Sequence, residues 1–115
     1  MLLNKSTKKI ISRKHKVADT FLKRAIGLMF HNKKKFNYAL VFDLERITKT
    51  GASLHMFFVF FKINVLFLDS SKRIVEIKKD FMPFETYSPK KPARYIIEIP
   101  TSFKNYKISH KLEWN

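Results

Sequence analysis

LHMFFVFFKINVLFLD, residues 54–69, decides the fold of this chain. It holds two apolar runs separated only by Lys62, Ile63 and Asn64. Met56 to Phe61 is apolar without a break, whereas strict alternation would leave one face polar, so the segment needs cover on both sides. Its β-branched and aromatic residues favour strand over buried helix. A membrane-spanning helix needs about 20 consecutive apolar residues, and this run meets Lys62 and Asn64 well before that. The reading is a central strand over Leu54–Phe61, a tight link at Lys62–Asn64, and a second strand running on to Asp69.

Working outward, Asp69-Ser70-Ser71-Lys72 has turn chemistry and joins the second strand to Arg73–Ile77 as a hairpin. Lys78 to Pro92 contains Pro83, Pro89 and Pro92, too many for a ladder strand, and reads as a long surface loop. Ala93–Ile99 resumes a strand that Pro100 stops, and Tyr106–Trp114 alternates imperfectly as a last strand. Upstream, Tyr38–Leu44 is a strand. Ala18-Asp19-Thr20 supplies a helix start, followed by Leu22, Ala25, Ile26 and Met29 at the spacing of one buried face. Ser12–Val17 is extended and basic, as expected of an edge strand that discourages aggregation, and residues 1–9 read as a frayed basic end. The sum is an α+β, mostly β domain: one antiparallel-rich sheet of six or seven strands, curled or barrel-like, with one short N-terminal helix. We divide it into a basic segment, 1–16, and a sheet-rich body, 17–115.

A chain of 115 residues supports one core, and twelve Phe give that core bulk. Cys is absent, which excludes disulfide scaffolds, Cys-ligated metals and thiol nucleophiles. No apolar stretch of about 7–15 residues marks a secretory signal at the front. A cytoplasmic location, with no membrane partner, is therefore expected. The net charge is +15, and residues 1–35 carry eleven Lys or Arg against the single acid Asp19. Nucleic acid or another polyanion is the natural partner of such a surface. The candidate contacts are Lys8, Lys9, Arg13, Lys14, Lys16, Lys33, Lys34 and Lys35, with Phe36, Tyr38, Tyr87 or Trp114 as rings on which bases would stack. AT-rich coding is the bland explanation of many lysines, but it does not account for the shortage of acids.

With Gly27 and Gly51 as the only glycines, no nucleophile elbow, phosphate-cradling loop or dinucleotide fingerprint is available. The four histidines stand in no metal-binding spacing, so no metal and no cofactor is expected.

TFLKRAIGLMF, HMFFVFFKINVLFLD, a proline-containing loop and ARYIIEIP, in that order, resemble the domain of unknown function 192 family of archaea and bacteria. The resemblance spans Val17 to Pro100. It implies a small sheet-rich domain with a short helix and no established activity. The family pattern has Pro at position 62 and Asp at 64, where this chain has Lys62 and Asn64, and Gly-Asp where it has His110-Lys111.

Polar residues inside these motifs are Arg24, His55, Asp69, Tyr95 and Glu98. If they converge, His55 serves as acid or base and Arg24 holds an anion. Structural duties compete with that: Arg24 pairs with Glu98 or Asp69, Asp69 caps its turn, and His55 ends a strand. The leading expectation is a non-enzymatic polyanion-binding module. The alternatives are a small-ligand protein or enzyme built on that pocket, and an interaction subunit using a sheet edge or apolar patch.

Overall fold

The computed structural model describes residues 1–18, 33–56 and 59–115. Ten strands run in chain order: β1 (Leu2–Asn4), β2 (Lys9–Ser12), β3 (His15–Ala18), β4 (Ala39–Thr48), β5 (Leu54–His55), β6 (Ile63–Leu68), β7 (Ile74–Phe81), β8 (Thr86–Tyr87), β9 (Ala93–Ile99) and β10 (Leu112–Glu113). They form a five-stranded sheet in the order β3-β4-β9-β6-β7, a three-stranded sheet β10-β1-β2, and the small pair β5-β8. All ladders are antiparallel except β3 with β4.

The larger sheet buries both faces. Leu40, Phe42, Val65, Phe67, Phe81 and Ile96 fill one side, covered by Phe36, Ala52, Met56, Val59 and Phe61. Ala39, Val41, Leu66, Leu68, Ile97 and Ile99 fill the other, where Leu2, Ile11 and Leu112 of the smaller sheet pack down on them. Two-sided burial explains why all six residues of β6 are buried.

The mostly β class, the hairpin β6–β7, the strands at Ala93–Ile99 and around Tyr38–Leu44, and the basic edge strand β3 agree with the sequence reading. Four expectations need correction. First, the described strands number ten in three sheets rather than six or seven in one, with the end of β7 and all of β8 inside the stretch Lys78–Pro92 expected as loop, and no ladder among the described residues joins β3 to β7, so the larger sheet is open and not barrel-like. Layering already covers both faces, which removes the need for closure. Second, the central strand is β6, not the run before it. Among the described residues of that run, Leu54–His55 alone pairs as strand. Met56, Val59 and Phe61 are buried all the same, as a cap on the sheet. The Met56 backbone bonds to Glu85 and Phe84 at 2.7 and 2.9 Å instead of to a ladder. Third, residues 2–4 are not frayed: Leu2 and Asn4 have no exposed surface. Fourth, the last strand is only Leu112–Glu113, paired with β1. The expected helix over Asp19–Met29 lies outside the described residues. Among the described residues no helix is long and apolar enough to cross a membrane.

Asn64, on the second face, is buried at 6% exposure. Its Nδ2 donates to the Tyr106 hydroxyl at 2.9 Å and its Oδ1 accepts from the Asp80 N–H at 2.9 Å. The amide thus ties β6 to a bulge in β7 and to the C-terminal loop. Asn64→Ala removes both bonds and is expected to lower stability by about 2 kcal/mol. Urea denaturation checks this, and a change below about 0.5 kcal/mol, the scale of a neutral surface substitution, would show the two bonds to be idle.

Candidate polyanion interface

Asn4 organises the turn after β1. Its Oδ1 accepts from the N–H groups of Ser6 and Thr7 at 3.0 and 3.1 Å, while its Nδ2 donates to the Asn105 carbonyl at 2.8 Å. Lys8 takes a left-handed φ of 63° and returns the chain into β2, its N–H bonded to the Asn4 carbonyl at 2.7 Å. The turn thereby presents Lys5, Lys8 and Lys9 as exposed side chains.

Two further lysines reach this end of the sheet from distant sequence. The Lys5 N–H donates to the Lys111 carbonyl at 2.8 Å, and the Leu112 N–H to the Lys72 carbonyl at 2.9 Å. Backbone bonds therefore place Lys5, Lys72 and Lys111 side by side. The backbones of five lysines thus lie at one end of β10-β1-β2. Among the described residues the two ion pairs found are Lys62–Asp80 at 3.7 Å and Arg94–Asp43 at 2.7 Å, and neither draws on this group.

Arg13, Lys14, Lys16, Lys33, Lys34 and Lys35 are also exposed but stand beside the edge strand β3, about 13 Å along β2 from Lys9 at the usual strand rise. The Lys16 ammonium lies 4.4 Å over the Tyr38 ring. The eight cations singled out from sequence therefore form two groups. Sequence reasoning missed Lys5, Lys72 and Lys111. For the last two no local signal existed, because the β1–β10 pairing brings in Lys111 and the Leu112 bond to the Lys72 carbonyl brings in Lys72.

Of the proposed stacking rings, Phe36 and Tyr38 are buried, and Tyr87 and Trp114 are only partly exposed and engaged by neighbours. Phe36 and Tyr38 are each 5% exposed, Tyr87 packs on Phe67 and Phe81, and the Trp114 face is taken by the Lys72 ammonium at 4.3 Å. Among the described residues the exposed phenylalanines are Phe60 and Phe84, 58% and 61% exposed with centroids 6.2 Å apart. They sit at the end of the β6–β7 hairpin away from Lys72.

The five residues of the candidate pocket do not come together as a set. Arg24 lies outside the described residues. His55 ends β5, its backbone paired with Thr86, and its side chain is not among those described. Asp69 caps the hairpin turn, accepting from the N–H groups of Ser71 and Arg73 at 2.9 and 3.0 Å. Tyr95 packs on the second face with its ring 5.1 Å from Trp114. Glu98, three residues on, points to the first face, as strand alternation requires. Burial pushes the Glu98 carboxyl up to about 8. The other conspicuous acid, Glu76, is committed to structure: it accepts from the Tyr87 hydroxyl and from the N–H groups of Lys90 and Lys91 at 2.8 and 3.2 Å, pinning the proline loop. No cluster of three or more His, Cys, Asp or Glu that would hold a metal occurs among the described residues.

Fold and surface together define a small layered β domain with a lysine-rich end. The chain belongs to the DUF192 family (Uncharacterized ACR, COG1430), whose pattern matches residues 2–111. A UPF0127 protein of Thermococcus sibiricus is 44% identical over 117 residues, covering 99% of this chain and 74% of that protein. The UPF0127 protein PH1112 of Pyrococcus horikoshii is 42% identical, covering 99% and 98%. A crystal structure of a protein of unknown function from Novosphingobium aromaticivorans superposes with a TM-score of 0.77 at 20% identity, over 87% of this chain and 74% of that one. That last likeness concerns the fold alone.

Proposed function

We propose that this protein is a non-enzymatic, cytoplasmic binding module that holds nucleic acid through its phosphates. The observation that carries the reading is the convergence of Lys5, Lys8, Lys9, Lys72 and Lys111 at one end of the three-stranded sheet, with no acid partner among the described residues. Lysine ammoniums neutralise phosphates and release counterions without reading bases. The exposed rings of Phe60 and Phe84 are at the far end of the hairpin, so bases are not stacked where phosphates are held. Binding therefore tolerates sequence.

The test is affinity for mixed-sequence single- and double-stranded oligonucleotides at two salt concentrations. Five phosphate contacts on duplex give a log–log salt slope near −4.5, or roughly a 500-fold loss between about 50 and 200 mM salt. Absence of binding at about 50 mM, where such contacts are strongest, overturns the reading.

A further inference from the structure

The geometry points to a dedicated phosphate-group site in the cleft between the β6–β7 turn and the β1–β10 ladder, with Lys5, Lys72 and Lys111 as its cations and Ser70 and Ser71 as its hydroxyl donors. This rests on the polyanion reading and narrows it, because it separates one built pocket from a generally basic surface.

The cleft has a volume of about 310 Å³ and is lined by Lys5, Ser70, Ser71, Lys72, Lys111, Leu112 and Glu113. That is far more than one water needs, so a group of phosphate size can enter. Three features make it more than a patch. The cations come from three separate parts of the chain, and their backbones are locked together by the bonds from Lys5 to Lys111 and from Leu112 to Lys72. The turn itself is fixed by the Asp69 cap and by Lys72 in the left-handed region, with φ of 65°. The Lys72 ammonium is held 4.3 Å over the Trp114 ring and 5.9 Å from the Tyr95 centroid, which restrains a side chain otherwise costly to order.

Three lysines and one acid, Glu113, line the cleft, so its lining carries a formal excess of two positive charges. That excess, with two hydroxyl donors, matches a group that carries one or two negative charges and several acceptor oxygens. A carboxylate offers only two acceptor oxygens to three ammoniums and two hydroxyls, and an uncharged base brings no charge. The phosphate belongs either to a nucleic-acid backbone or to a free phosphorylated molecule.

The full chain, labelled for amide NMR, would be titrated with inorganic phosphate and, separately, with a short single-stranded oligonucleotide, against chloride at equal ionic strength. Saturable shifts at residues 5, 70–72 and 111–113 are expected with phosphate. Lys72→Met, which keeps the stem on Trp114 but removes the charge, combined with Lys111→Gln, should weaken that response at least tenfold. The control pair Lys90→Gln with Lys91→Gln, exposed and away from the cleft, should leave it unchanged. Spectra as dispersed as those of the parent chain confirm that each variant is folded. If both ligands shift the cleft, its phosphate is the backbone kind. If phosphate saturates the cleft and the oligonucleotide does not bind, the cleft stands, its ligand is a free phosphorylated molecule, and the nucleic-acid reading falls. If the oligonucleotide binds while phosphate leaves the cleft unmoved and both variant pairs weaken oligonucleotide binding equally, the cleft is overturned and the nucleic-acid reading survives.

Discussion

Raising the pH from 5 to 8 is expected to remove about 3 kcal/mol of folding stability from this protein, and Glu98→Gln is expected to abolish most of that loss. Glu98 sits on β9, the middle strand of the larger sheet, with Leu40 and Val65 opposite it in the two neighbouring strands. It is 7% exposed, and burial raises its pKa from 4.5 to about 8. In the unfolded chain the carboxyl gives up its proton near the ordinary value. In the folded protein it keeps the proton to about 8. Between those two values the unfolded state binds fewer protons than the folded one, so stability falls as pH rises and levels off above about 8. Below the ordinary value both states are protonated and the penalty vanishes. The measurement is urea denaturation at pH 5, 6, 7 and 8 for both proteins. Glutamine keeps the shape and carries no charge to desolvate, so the difference between the two curves isolates this group from every other titration. Equal slopes for the two proteins would show that Glu98 does not titrate across the window. Because Glu98 is largely neutral at pH 7, the protein also carries nearly one more net positive charge than formal counting gives.

What was legible in the sequence depended on how local the physics was. β9 was read to the residue because Pro100 ends it and Ala93 follows the last proline of the loop. The β6–β7 hairpin was legible because Asp69 both marks and caps the turn. The run before β6 misleads because the capping role of Met56, Val59 and Phe61 and a buried strand need the same apolar side chains. Periodicity cannot tell them apart, and the partners that settle it, Phe84 and Glu85, are more than twenty residues away. Residues 1–4 looked frayed since three strand residues offer no period at all, although Leu2 is fully buried. The candidate site divides in the same way. The exposed basic residues of β2 and β3 could be named from charge density alone. Lys72 and Lys111 could not, because they join Lys5 only through pairings that span most of the chain. Tyr95 and Glu98 were grouped by motif, yet an odd separation on one strand sends them to opposite faces, and that much the alternation rule already implied once Ala93–Ile99 was read as a strand.

Replacing Lys5, Lys8, Lys9 and Lys111 together by Gln is expected to weaken duplex binding by roughly 10³ to 10⁴-fold at about 50 mM salt and by almost nothing near 0.5 M. Each lost phosphate contact reduces the slope of log affinity against log salt by about 0.9, so the four together should flatten it by between 3 and 4. The essential comparison is a second variant with the same net charge, in which the exposed Arg46, Lys49, Lys90 and Lys91 become Gln instead. Long-range attraction depends on total charge and falls equally in both variants, screened beyond about 10 Å at 0.1 M salt. Counterion release depends on which ammoniums sit against phosphates and falls only where contacts are lost. A lysine-rich composition without a binding role would make the two variants indistinguishable in slope. A built interface at the end of β10-β1-β2 makes the first variant lose its salt dependence while the second keeps it. None of the four side chains is buried and Asn4, which shapes the turn, is untouched, so thermal unfolding of both variants should stay close to that of the parent. The ratio of the two slopes therefore separates chemistry that the fold has assembled from charge that the composition merely carries.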